Sequence, residues 1–173
     1  MLKLIRNIVL GSLAVLPLIV SVPAQAGNTT STFAVTATVV NSCVINSASA
    51  LGFGNYDVNV GTAVNATSTI NVNCTKGDTY SIALDYGAHG GTAANRIMKD
   101  TGTDTLNYNL YTDSAHTLVW NNSCGTGNNC DSGTGAGPGV GNQQTYTVYG
   151  QIPAGQNVPA GSYSDTITVT VTF

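Results

Sequence analysis

Along residues 162–173 apolar and hydroxyl side chains alternate, with Ile167, Val169, Val171 and Phe173 on one face and Thr166, Thr168, Thr170 and Thr172 on the other. A period of two predicts a half-buried β-strand. The same alternation occurs near the start of the chain, where Phe33, Val35, Ala37 and Val39 are interleaved with Thr32, Ala34, Thr36 and Thr38. Between these two stretches Ile70, Val72 and Cys74 alternate, and so do Tyr80, Ile82 and Leu84. Lys76, Gly77 and Asp78 separate the two runs as turn residues, which predicts an antiparallel hairpin. Shorter strands are predicted over 96–99, 106–111, 117–120 and 145–151. No helical period of useful length interrupts them, so the expected class is an all-β sandwich. Seven glycines between Gly125 and Gly141, with Asn128, Asn129, Asp131 and Pro138, offer few side chains to a core and read as an exposed loop.

The first residues follow a different logic. Lys3 and Arg6 precede an apolar run over 8–20, and Ala24, Gln25 and Ala26 follow it. That order predicts a secretory signal cleaved after Ala26. The run is broken by Gly11, Ser12 and Pro17 and is shorter than the roughly 20 apolar residues a spanning helix needs, so no membrane insertion is expected after cleavage. The remaining 147 of 173 residues hold Lys76, Arg96 and Lys99 against eight Asp, a net charge of −5, and the chain has no Glu. An acidic domain with three bases excludes a nucleic-acid partner held through phosphates, and its length fits one domain with a substantial core.

In an exported chain four cysteines favour disulfides over metal ligation. Cys124 and Cys130 bracket a loop short enough for local closure, which leaves Cys43 with Cys74; no C-x-x-C or paired-His arrangement supports zinc.

Candidate chemistry is thin. His89 and His116 lie in Gly-, Ser- and Thr-rich surroundings outside any nucleophile or metalloprotease motif and read as solvated loop residues. Asp85, Asp100, Asp104 and Asp113 could in principle supply a glycosidase pair, yet nothing selects any two, and Asp is an ordinary turn residue. Asp57, Asn59 and Gly61 begin like a calcium loop without its closing Glu. Ser42 and Ser123 lack an adjacent base. No catalytic residue, metal or cofactor is therefore expected. A carbohydrate-binding sandwich, with Tyr108, Tyr111 and Trp120 as stacking residues, is the alternative.

The stretch from Phe33 to Cys43, the block Leu51-Gly-Phe-Gly-Asn-Tyr56, the Val72-Asn-Cys74 triplet and the ending Tyr163 to Phe173 together resemble the spore coat protein U domain and, more narrowly, the major subunits of archaic chaperone-usher pili. The resemblance spans nearly the whole exported part. It implies an incomplete immunoglobulin-like β-sandwich, missing its last strand, over 41–173, completed by a donor strand from a chaperone or a neighbouring subunit. It further implies that 27–40 is that donor strand, with Phe33, Val35, Ala37 and Val39 as donor residues, and that Ile167, Val169, Val171 and Phe173 edge the acceptor groove. Identical subunits in a fibre, a periplasmic chaperone and an outer-membrane usher are the implied partners. A cell-surface pilus supporting attachment and biofilm formation is the implied destination. Tip adhesins of such pili often carry an additional domain, for which the length leaves no room, so a shaft subunit is expected.

Overall fold

The computed structural model describes residues 24–139 and 142–173. The signal-peptide expectation lies, up to residue 23, outside the described residues. The chain divides after Ala37. Residues 24–42 form no strand, and in this stretch Phe33 is 87 %, Val35 84 % and Val39 82 % exposed.

From Thr38 onward the chain is an all-β, immunoglobulin-like sandwich of eight strands, with no α-helix among the described residues. They are β1 Cys43–Ala48, β2 Val64–Cys74, β3 Thr79–Leu84, β4 Arg96–Lys99, β5 Thr105–Tyr111, β6 Asp131–Thr134, β7 Gln144–Ile152 and β8 Val169–Thr172. One sheet has the order β1-β2-β7-β5-β4 and the other β6-β3-β8, with every ladder antiparallel. In the C-terminal half of β2, Ser68, Ile70, Val72 and Cys74 alternate inward, and Ile82 and Leu84 of β3 meet them across the interior. Trp120 fills the space between the sheets, fully buried, its indole Nε1 donating to the Ile82 carbonyl at 2.7 Å. That bond lets the ring lie in an apolar core without an orphaned donor.

Four expectations need correction. The runs around Ile70 and Tyr80 are strands but not a hairpin. Both edges of β2 are occupied, by β1 and β7, so the turn at 75–78 carries the chain across to the second sheet instead. The glycine-rich stretch is not wholly loop, because β6 lies within it and pairs with β3. Glycine is needed there: a β-carbon on Gly133 would sit 2.7 Å from the Tyr80 hydroxyl, and one on Gly135 would sit 2.0 Å from the Thr75 carbonyl oxygen. Residues 117–120 contribute only an isolated bridge, Tyr111 to Val119. The final strand is shorter than its alternation. Ser164 bridges to Lys99 of β4, and the chain then crosses to β3, where β8 begins at Val169.

Both expected disulfides are present, Cys43–Cys74 and Cys124–Cys130. The first ties the opening residue of an edge strand to its directly opposed ladder partner.

Candidate functional site

Two edge strands expose what should be interior. Residues opposed in an antiparallel ladder share a face. Ile45 of β1 opposes Val72, which is fully buried, yet Ile45 is 38 % exposed. Ala48 opposes buried Ile70 and is likewise exposed. On β8, Val169 and Val171 oppose Leu84 and Ile82, both buried, but are themselves only half-buried. Inward-facing apolar side chains on the free edges of β1 and β8 thus lack one layer of cover.

The uncovered region is a cleft. Two cavities of about 480 and 700 Å³ share Leu51, Phe53, Met98 and Tyr163 in their lining and so form a continuous depression. One wall is the chain over 48–58 and the other the chain over 158–169. Ile70, Leu84, Leu110 and Val148 are among the core residues at its floor. Leu51 and Phe53 reach this position over Gly150 of β7, and the Phe53 ring meets Tyr108 edge-on at 6.0 Å. Tyr56 closes the block: its hydroxyl donates to the Pro153 carbonyl at 3.1 Å and accepts from the Gln156 amide at 2.8 Å.

The residues named from sequence are distributed unevenly around the cleft. Ile167 and Val169 line it; Val171 packs against the core beside it; Phe173 is 53 % exposed and does not line it. Phe33, Val35, Ala37 and Val39 are exposed and belong to no ladder among the described residues.

The catalytic and sugar-binding candidates are absorbed by structure. Asp100 Oδ1 accepts from the amides of Gly102 and Asp104, and Asp113 from those of Thr117 and Leu118, as turn residues do. Asp57 accepts from the Asn59 amide in the same way. Tyr108 and Trp120 are buried and cannot present a face to a sugar, while Tyr111 packs edge-on against His116 at 5.2 Å. The histidines are not free loop residues, which corrects that expectation. His116 sits between Tyr111 and Tyr149, and His89 Nδ1 lies 3.0 Å from Asp165 Oδ1.

Sequence reasoning missed a polar cluster under one wall of the cleft. Arg96 is fully buried, donating through Nη1 to Asn109 Oδ1 at 2.6 Å, through Nη2 to the Trp120 and Leu84 carbonyls at 2.6 and 3.3 Å, and through Nε to the Asp85 carbonyl at 2.9 Å. Burial lowers the guanidinium's pKa, a shift the nearby tyrosines and Asp85 and Asp165 oppose. Asp165, its side chain 3 % exposed, accepts from the Tyr108 hydroxyl at 2.7 Å and the Ala88 amide at 2.9 Å as well as facing His89. Burial, then the bond to Asp165, pushes the Tyr108 hydroxyl far above its usual range. Burial alone would raise the Asp85 carboxyl, but bonds from Thr168 and Gly87 and the Arg96 charge outweigh it and hold it below the ordinary value. One signal was available in the sequence: Asp165 interrupts the apolar face of the final alternation, between Tyr163 and Ile167.

Residues 29–170 match the Spore Coat Protein U domain. The chain is 36 % identical to Protein U of Myxococcus xanthus, over 98 % of each. Among solved structures it resembles the chaperone–tip adhesion subunit pre-assembly complex CsuC–CsuE from the archaic chaperone-usher Csu pili of Acinetobacter baumannii. The identity is 28 % and the TM-score 0.50, over 79 % of this chain and 40 % of that one. A chaperone–tip adhesin complex of CFA/I fimbriae is 12 % identical, with a TM-score of 0.47, over 76 % of this chain and 42 % of that one. The chain therefore spans about two fifths of the length of the solved chains it matches. By its match over most of its length, the chain belongs to the Spore Coat Protein U domain family.

Proposed function

We propose that the chain is a structural subunit of a chaperone-usher pilus, polymerising by donor-strand exchange. The observation that carries this reading is the uncovered interior between β1 and β8, where Ile45, Ala48, Val169 and Val171 face inward without cover. The complementary feature is the exposed alternation Phe33, Val35, Ala37 and Val39, which has the period of a strand and no ladder of its own. A second copy's segment 27–40 laid in the cleft would add main-chain bonds to a free edge and cover the apolar stripe.

The energetics favour such an exchange. Burying the three large donor side chains is worth about 1.5 to 3 kcal/mol each, so the apolar term alone is roughly 5 to 10 kcal/mol. Leaving the cleft re-exposes the core together with an unpaired edge, which makes dissociation slow and the fibre kinetically stable. An empty cleft invites aggregation, so a periplasmic chaperone fills it before an outer-membrane usher hands the subunit on. In this scheme Ile167, Val169, Val171 and Phe173 flank the incoming strand, and the subunit serves the shaft of a surface pilus used in attachment and biofilm formation. The similarity to a chaperone-bound pilus subunit supports the chaperone as partner.

The test is size-exclusion chromatography and unheated detergent gels of the exported chain with and without residues 27–40. Ladders of oligomers that collapse on heating and vanish on truncation are the expected result. Folded monomers from both forms overturn the reading.

A further inference from the structure

The cleft wall over 163–169 is a segment that links the two sheets, and its middle is held largely by side chains rather than by a ladder. At one end Ser164 exchanges both main-chain bonds with Lys99 of β4, at 2.9 and 3.0 Å. At the other, Val169 opposes Leu84 in the β3–β8 ladder. The next pair in that register is Asp85 with Thr168, and there the ladder is altered. The Asp85 amide still donates to the Thr168 carbonyl at 3.1 Å, but the Asp85 carbonyl is taken by Arg96 Nε. Asp85 Oδ1 substitutes for it and accepts from the Thr168 amide at 2.9 Å.

Beyond this point the partner chain turns away at Gly87, whose φ is +87°. A second carboxylate continues the support. Asp165 reaches across Gly87 to the Ala88 amide and His89 Nδ1, at 2.9 and 3.0 Å. The fit is close: a β-carbon on Gly87 would lie 1.9 Å from Asp165 Oδ2. Ser164 and Thr168 therefore bond into the chain, and in extended backbone the main-chain groups of Asp165 and Ile167 turn to the opposite edge. That edge runs along the cleft, whose lining includes 163–167 and Val169.

We propose that Asp85 and Asp165 are positioning residues for strand acceptance, keeping 165–168 extended so that its free main-chain edge and Ile167 are presented to an incoming strand. The inference rests on the donor-strand reading and deepens it. Without the two carboxylates the stretch between Ser164 and Val169 keeps only the main-chain bond from the Asp85 amide to the Thr168 carbonyl, and an incoming strand must order the rest during binding, which slows capture. The charged group facing the pair is Arg96, and the His89 imidazole and the Tyr86 and Tyr108 hydroxyls are the neighbouring titratable side chains.

The test uses the exported full chain purified with its chaperone and a labelled synthetic peptide of residues 27–41 as the strand. A wild-type complex that takes up no peptide overturns the donor-strand reading itself, and this inference with it. Asp85→Ala and Asp165→Asn are expected to take up peptide about tenfold more slowly per folded molecule. Asp113→Asn, a carboxylate that also caps backbone amides but does not line the cleft, leaves the rate unchanged. Uptake at the wild-type rate by Asp85 and Asp165 variants whose melting temperature alone has fallen overturns the proposal. Where the Asp165 variant fails to fold, His89 decides. His89→Ala slows uptake, and His89→Asn, which keeps an amide donor near the Nδ1 position, restores it. Equal rates for those two variants overturn the proposal.

Discussion

Gly150 lies directly beneath Phe53: a β-carbon at Gly150 would stand 2.9 Å from Phe53 Cζ and from Leu51 Cδ1. A glycine inside a strand is unfavourable by about 0.5 to 1 kcal/mol relative to alanine, and here it is kept because two cleft-lining side chains fold down over it. The contacts are side-chain tips, which can shift. Gly150→Ala is therefore expected to change stability by less than about 1 kcal/mol, whereas Gly150→Val overpacks the site and costs about 1 to 3 kcal/mol. Denaturant unfolding of the strand-filled domain measures both. The valine variant is also expected to take up a donor peptide poorly, because Leu51 and Phe53 are pushed into the cleft.

Arg96 is a fully buried side chain that donates to four acceptors in the core. Replacing it by methionine removes the side-chain donor to the carbonyls of Asp85, Leu84 and Trp120 and leaves Asn109 Oδ1 with the Leu110 amide alone. The expected loss is about 3 to 5 kcal/mol, read from the unfolding midpoint. Arg96→Lys is expected to recover less than half of it, since one ammonium cannot serve four separated acceptors as the guanidinium fork does. A lysine variant as stable as the wild type would contradict that account.

Much of the fold was legible because a half-buried strand writes its period into the sequence. The alternations at Ile70 to Cys74, Tyr80 to Leu84, 96–99, 106–111 and 145–151 all fall within strands. Pairing was less legible. Periodicity says that β2 and β3 each have an inward face, not that β2 already has a neighbour on both edges. β6 was hidden because Gly133 and Gly135 contribute space to Tyr80, Tyr146 and the Thr75 carbonyl, not side chains to a core. The cleft was legible only in part: Ile167 and Val169 follow from the final alternation, but the opposite wall at 48–58 has no regular period. The Asp85, Arg96 and Asp165 cluster depends on residues far apart in sequence meeting at one place, which no local pattern records.

Asp131, the first residue of β6, behaves oppositely to Asp85. Desolvation by burial raises its carboxyl above the ordinary value of 3.8. A raised acid favours its protonated form in the folded state, so the ionised form costs stability at neutral pH and the cost disappears below the unfolded value. Asp131→Asn is therefore expected to raise the melting temperature at pH 7, with the gain shrinking toward zero as pH falls through the folded value toward 3.8. For Asp85 the sign reverses. Its lowered carboxyl contributes stability above 3.8 that is lost on acidification through the folded value, so Asp85→Ala costs most at neutral pH. Melting curves of both variants from pH 3 to 8 decide.

The Cys43–Cys74 bond closes a sequence separation of 31 residues between an exposed edge strand and a central one. In the chain-entropy model a loop of that size is worth about 3 to 4 kcal/mol. Cys43→Ala with Cys74→Ala is expected to lower the yield of folded chain under oxidising export. An unchanged yield would remove the disulfide from the list of features that hold β1 in place.

Val35 gives the sharpest test of the proposed exchange. It is 84 % exposed and makes no ladder, so Val35→Asp removes no packing from the sandwich that begins at Cys43. Folding and chaperone binding are expected to be unchanged within about 0.5 kcal/mol, as for other surface substitutions. Placed in a neighbour's cleft, however, the aspartate enters a site floored by Leu84, Leu110 and Val148, where an unpaired carboxylate is strongly disfavoured. Subunits carrying it are expected to accept a wild-type strand but not to donate their own. A mixture with wild type should therefore give chains terminated at each mutant, shorter in proportion to its fraction on unheated gels. Fibres of normal length from the pure mutant would show that residues 33–39 are not the donated strand.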